Sequence, residues 1–326
     1  MVSTSVIAEN LTGKVIAVLV MVVVLFFVSC NSSDKGAADP VIVYRSEDSL
    51  ANYYLALHPV AKPKGLFVVL PGFSTLPEAV LTETDLPTTA QRDGYLVVIP
   101  YLNVNTFYTD TVSQERLKSL LWDVIREFEI SPGKVILGGH SAGGNGALLY
   151  AERAVADKHW DAVVPKAVFG VDPPLDMKRL WNSFKWTEQI KTDPSVPTEG
   201  SYFMARFRAD LGGSPEEFPA EYQKISSYYR DAPDGGNVRH LRKIPVRLYC
   251  DPDVNWYIEQ RNLPIELANL SDLSACIVQL RLLGNDQAEL IVNPGKGIRP
   301  DGTRHPHAFS QLDAGEFLRW TNNLLR

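Results

Sequence analysis

The stretch Lys134-Val-Ile-Leu-Gly-Gly-His-Ser-Ala-Gly-Gly144 constrains this chain more than any other. An apolar run that stops in glycines around one serine predicts a buried strand turning sharply into a helix, which Asn145 to Ala154 would continue. Gly139, Ser141 and Gly143 have the spacing G-x-S-x-G, and a strand-turn-helix context is what gives that spacing chemical meaning. A serine hydroxyl is a weak nucleophile at neutral pH, so it has to be presented to a base and to a substrate together. A strained turn does this, with small residues letting the neighbouring backbone pass close by. The turn also sets the amide N–H of Ala142 at a helix N-terminus, where developing negative charge is stabilised. A phosphate-binding loop does not fit, because no Gly-Lys-Ser/Thr follows and the spacing is not G-x-G-x-x-G.

The segments around this turn alternate strand and helix. Val41 to Arg45 and Asn52 to His58 read as leading strands. Gly65 to Gly72, Gly94 to Tyr101, Lys166 to Val171, Ile244 to Cys250 and Ala288 to Asn293 read as further strands. Helices are predicted from about Pro77 to Arg92, Ser113 to Phe128, Asp272 to Leu283 and Ser310 to Leu325. This rhythm requires crossovers, and therefore a mainly parallel sheet with helices on both faces. After Asp172-Pro-Pro it lapses until about Lys243, in a segment rich in aromatics that include Trp181, Phe184, Phe203 and Phe207.

With the turn, the order of elements and the downstream loop together, the chain resembles the α/β-hydrolase superfamily. The resemblance implies an α/β-hydrolase domain over residues 41–326. It also implies a helical cap at about 173–243, whose aromatics either line a pocket or form the cap's own core. It assigns a second oxyanion-hole donor to the backbone N–H of Phe73, after Gly72, and implies the chain order serine, acid, histidine. Only His305 and His307 lie beyond the candidate acids. His307 is preferred because Ala308 and Phe309 follow it, as a small residue and an aromatic often do in the family. For the acid, Asp253 is preferred in the loop after Ile244–Cys250, where the family places its carboxylate. Asp251 is read as a turn former, and Asp172 is the candidate at the preceding strand. The expected function is a serine hydrolase that cleaves carboxylic esters through Ser141, His307 and Asp253 by an acyl-enzyme, with no cofactor and no metal. The alternatives are a prolyl-peptidase-like enzyme and a surface binding protein on a hydrolase scaffold.

At the N-terminus, Lys14 leads into the apolar run Val15 to Val28, followed by Ser29 and Cys30. The run falls short of the roughly 20 residues that span a bilayer and suits the core of a signal peptide. Phe27-Val28-Ser29-Cys30 resembles the bacterial lipoprotein signal, which implies a signal peptide over 1–29, lipidation of Cys30 and anchoring in the bacterial cell envelope. A conventional signal peptide or an uncleaved anchor would equally take the domain out of the cytoplasm. Residues 30–40 are small and polar and read as a flexible tether. The other two cysteines, Cys250 and Cys276, lie in apolar segments that suit buried free thiols. With 32 Lys and Arg against 38 Asp and Glu, and no basic stripe, no nucleic-acid partner is expected.

Overall fold

The computed structural model describes residues 38–45, 52–102, 107–191, 193–195 and 198–326. The predicted signal peptide, Cys30 and most of the tether lie outside them. Among the described residues no helix is long and apolar enough to cross a membrane.

Eight strands form one sheet: β1 (Val41–Tyr44), β2 (Tyr53–Leu57), β3 (Leu66–Leu70), β4 (Leu96–Tyr101), β5 (Val135–His140), β6 (Ala167–Val171), β7 (Val246–Cys250) and β8 (Ala288–Val292). Their order is β1-β2-β4-β3-β5-β6-β7-β8. β1, β2 and β4 pair antiparallel, and every pairing from β4 through β3 to β8 is parallel. The chain steps from β3 outward to β4 and then returns to the other side of β3 as β5. That reversal leaves a crevice at the carboxyl ends of β3 and β5, the place where open parallel sheets bind ligands.

The central strands are apolar at nearly every position because both faces are covered. Successive side chains alternate between the faces. Leu66, Val68, Leu70, Val135 and Leu137 pack under α3 (Thr111–Glu127) and α4 (Ala142–Ala156). Phe67, Val69, Val97 and Ile136 pack under α1 (Pro77–Glu83), α2 (Leu86–Arg92) and α10 (Ala314–Leu324). The single helix predicted over Pro77–Arg92 is two, since a proline at 87 lacks the N–H that a continuous helix would need. Thr84 accepts from the amide of Leu86 at the break, 3.2 Å away. The closing helix likewise begins late, where Asp313 caps α10 by accepting from Glu316 N at 2.7 Å.

Between β6 and β7 lie α5 (Met177–Ile190), α6 (Glu199–Leu211) and α7 (Pro219–Ile225). Met177, Trp181, Phe207, Tyr222 and Tyr229 form a small core within this segment. After β7 come α8 (Val254–Arg261) and α9 (Asn269–Leu282). Cys250 and Cys276 are buried free thiols in the cluster under β6 to β8.

Candidate active site

β5 runs straight into α4, and the residue at the turn is Ser141, with φ 52° and ψ −123°. A side chain rarely takes such a backbone, and it persists where the surroundings over-determine it. Here they do. A Cβ on Gly139 would lie 2.3 Å from the Leu70 carbonyl oxygen, and one on Gly143 would meet the same oxygen at 2.3 Å. Only glycine lets β3, β5 and the start of α4 approach so closely.

Ser141 N donates to Val171 O at 2.9 Å, and Asp172 N donates to Tyr249 O at 2.9 Å. These bonds extend the sheet one residue past the ends of β5 and β6 and hold Ser141 and Asp172 side by side. Asp172 also has a positive φ, 45°. Its carboxylate, 4% exposed, lies with Oδ2 2.5 Å from His307 Nδ1, and His307 Nε2 lies 2.9 Å from Ser141 Oγ. An ionised carboxylate only accepts, so the ring proton belongs on Nδ1, and Nε2 is left to accept from the serine hydroxyl.

Ser141 and His307 therefore lie together, and Asp253 is not with them. Asp253 caps α8 by accepting from Trp256 N at 3.0 Å and pairs with Arg304 at 2.9 Å. Asp251 is buried; it accepts from Gly295 N at 3.0 Å and Gly297 N at 2.7 Å and pairs with Arg304 at 2.8 Å. The reason is sheet order. β6 is the immediate neighbour of β5, whereas β7 stands one strand farther, a further 5 Å or so from the serine. Asp251 and Asp253 instead hold the loop on which His307 is carried.

Two more histidines bracket His307. His140 Nε2 donates to the His307 carbonyl at 2.9 Å, with its ring stacked on Phe309. His307 N donates to His305 Nδ1 at 3.2 Å. Burial and the neighbouring Arg299, His307, Arg261 and Arg304 push His305 down to about 3. Burial, with the charge of His307, also holds His140 well below the usual histidine range. Both rings are thus neutral near pH 7. His140, next to the serine in sequence, thus holds the His307 backbone, a contact that no sequence spacing signals.

Phe73 follows Gly72, where a Cβ would lie 3.8 Å from Ser141 Cβ, so the turn after β3 faces the serine. Ala142 is the first residue of α4, and its amide is among the donors that a helix leaves without internal partners. The serine opens onto a cleft of about 610 Å³. One wall is aromatic: Phe203 stacks on Phe184 with centroids 4.8 Å apart, meets Phe73 edge to face at 4.8 Å and lies tilted against Phe107 at 5.4 Å. The lining also includes Arg261, Arg299 and Glu83, and burial raises the Glu83 carboxyl against the pull of Arg299 and His307. Among the described residues no group of three His, Cys, Asp or Glu side chains could hold a metal ion.

No protein-family model matches the sequence, and no curated protein matches it. Solved structures do. The esterase E25 superposes with a TM-score of 0.56 at 17% identity, over 88% of this chain and 77% of that one. An S-formylglutathione hydrolase from Agrobacterium tumefaciens superposes with a TM-score of 0.54 at 14% identity, over 90% and 99%. A hormone-sensitive lipase from a metagenome library superposes with a TM-score of 0.56 at 13% identity, over 83% and 82%. At these identities the likeness is one of fold, and the fold is that of the α/β-hydrolases.

Proposed function

We propose that the protein is a serine hydrolase of carboxylic esters. The observation that carries this reading is the unbroken hydrogen-bonded line Ser141–His307–Asp172 on the lining of the cleft. In it, an imidazole faces the hydroxyl while a buried carboxylate fixes its tautomer. The esterase and lipase folds that superpose on the chain support the same reading. A binding protein would need none of this arrangement.

In the proposed reaction, Ser141 Oγ attacks the ester carbonyl carbon as its proton passes to His307 Nε2. The amides of Phe73 and Ala142 stabilise the resulting oxyanion. Collapse breaks the bond to the alcohol oxygen, which leaves with the proton from His307. Water then attacks the acyl-serine, giving a proton to the same nitrogen, and the acid departs as Ser141 recovers its hydrogen. Asp172 stays ionised and stabilises the imidazolium in both halves. The segment α5–α7 serves as a cap, and Phe184 and Phe203 receive an apolar acyl or aryl group.

Export belongs to the same proposal. The apolar run ending at Ser29-Cys30 supports cleavage before Cys30, its lipidation, and display of the domain from a bacterial envelope membrane. Mass spectrometry of the mature N-terminus tests this, and an unmodified terminus within 31–40 would refute it.

The enzymatic reading is tested with a fluorophosphonate probe and a panel of ester and peptide substrates. The wild type is expected to be labelled at Ser141 and to turn over esters. Ser141→Ala is expected to fold, remain unlabelled and lose turnover. Label on another residue, or a preference for peptides over esters, would defeat it.

A further inference from the structure

Asp172 holds further contacts besides the one to His307. Asn269, the first residue of α9, donates from Nδ2 to the Asp172 carbonyl at 2.8 Å and lies 3.4 Å from Oδ2. An asparagine amide can face either way, with its oxygen or its NH₂ toward a partner. Here the choice is made by Arg179 in α5, whose Nη2 lies 2.8 Å from Asn269 Oδ1. A guanidinium has donors only, so the amide oxygen must face Arg179, and the NH₂ is left to face Asp172.

Arg179 is itself fixed. It is buried, its Nε donates to Asp272 Oδ1 at 3.0 Å, and its Nη1 donates to Leu267 O at 2.9 Å. Asp272 is fully buried and also accepts from Leu175 N at 3.3 Å and Asp176 N at 3.2 Å, on the chain that leaves Asp172. A buried ion pair adds little net stability, because desolvation offsets the attraction. What this one supplies is a set direction for each group along the line Asp272–Arg179–Asn269–Asp172.

We propose that Asn269 is a positioning residue for Asp172, and that Arg179, reaching in from the segment between β6 and β7, sets the orientation in which Asn269 works. The amide of Asn269 pins the strained Asp172 backbone and supplies a donor toward its carboxylate, so the carboxylate keeps its aim at His307. The consequence for turnover rests on the hydrolase reading above. The consequence for His307 titration does not.

The test therefore reads the imidazole directly. The full chain is labelled with ¹⁵N-histidine, the His307 signals are assigned by comparison with His307→Gln, and titrations are run on wild type, Asn269→Ala and Asn269→Asp. The charged or titratable groups facing His307 are Asp172, His140, His305 and Glu83; Arg179, Tyr257 and Cys250 face Asp172. These are the same in all three proteins.

Asn269→Asp keeps the shape but replaces the donor with an acceptor of negative charge. It is expected to move the His307 titration to higher pH, since added negative charge favours the imidazolium. Asn269→Ala, which removes the donor, is expected to move it the same way by less. Ester kcat should fall roughly tenfold for Asn269→Ala and further for Asn269→Asp, with KM within about twofold, as a bond that matters in the transition state requires. If Asn269 only fills space, Asn269→Ala, which adds no charge, leaves titration and kcat at wild-type values; that result overturns the proposal. A His307 shift in a protein that turns over no ester supports the positioning role while defeating the hydrolase reading.

Discussion

Asp172 Oδ2 meets His307 Nδ1 at 2.5 Å from the end of β6, the strand beside the one that presents Ser141. This relationship separates three aspartates that the sequence alone leaves open. Asp172→Asn should cost kcat on the order of 10⁴-fold, as loss of the orienting carboxylate does in serine proteases. Asp253→Asn removes a charge from an N-cap and from one side of Arg304, and should cost activity less than tenfold. Asp251→Asn offers one oxygen where two loop amides need acceptors. It should destabilise by about 1–3 kcal/mol. Steady-state kinetics and thermal melts on the three variants check the order, and a crippled Asp253→Asn with an active Asp172→Asn would reverse the assignment.

The elbow and the parallel rhythm were legible because both are local. An apolar run ending in Gly139, Ser141 and Gly143 carries its own steric requirement, and covered strands are apolar throughout. The acid was not legible, because Asp172, Asp251 and Asp253 all follow apolar strands ending near a proline. Which of them meets His307 depends on β6 lying against β5, a property of sheet order rather than of any window of residues. The same limit hid Asn269 and Arg179, which approach Asp172 from 97 residues downstream and from α5. Of the aromatics between β6 and β7, Trp181, Phe207 and Tyr222 went to that segment's own core, while Phe184 and Phe203 also line the cleft. Their spacing did not distinguish these fates.

The neutral histidines around His307 give the fold a dependence on acid pH. His305 has a folded pKa of about 3 against about 6.5 in an unfolded chain, so between those values the unfolded state binds more protons. Stability therefore rises with pH across that window and is lost as pH falls from about 6.5 toward 3. His305→Gln keeps an acceptor for the His307 amide and cannot titrate there. Its melting temperature should change less than that of wild type between pH 6.5 and 4, as differential scanning fluorimetry would measure. Identical slopes would mean that His305 is protonated in the folded protein.

Glu152 predicts the opposite sign. It lies on α4 at 1% exposure, and burial drives its carboxyl well above the usual range. The unfolded chain releases that proton above about 4.5 while the folded chain keeps it, so the group costs stability increasingly as pH rises from there. Glu152→Gln should leave stability at pH 4 unchanged and raise it at pH 7–8. Urea titrations at the two pH values measure the difference. Destabilisation at pH 7 would mean that the ionised carboxylate is held by a partner.

The aromatic wall predicts selectivity. Phe203 comes from α6 and Phe184 from α5, and together they close on Phe73 and Phe107 from the sheet side. No hydrogen-bonding group of the Ser141–His307–Asp172 line lies on Phe203, so shortening it should leave the chemistry intact and change only what fits beside it. Phe203→Ala would risk a cavity costing about 3–5 kcal/mol, whereas Phe203→Leu keeps the site apolar and removes the flat surface. For Phe203→Leu, kcat/KM on aryl and medium-chain acyl esters should fall by roughly 10-fold or more, the scale on which apolar pocket contacts discriminate. Acetyl esters, too short to reach the wall, should be cleaved within about twofold of wild type. Parallel losses on both classes, with an unchanged melting temperature, would place Phe203 in support of the oxyanion turn at Phe73 instead of in substrate selection.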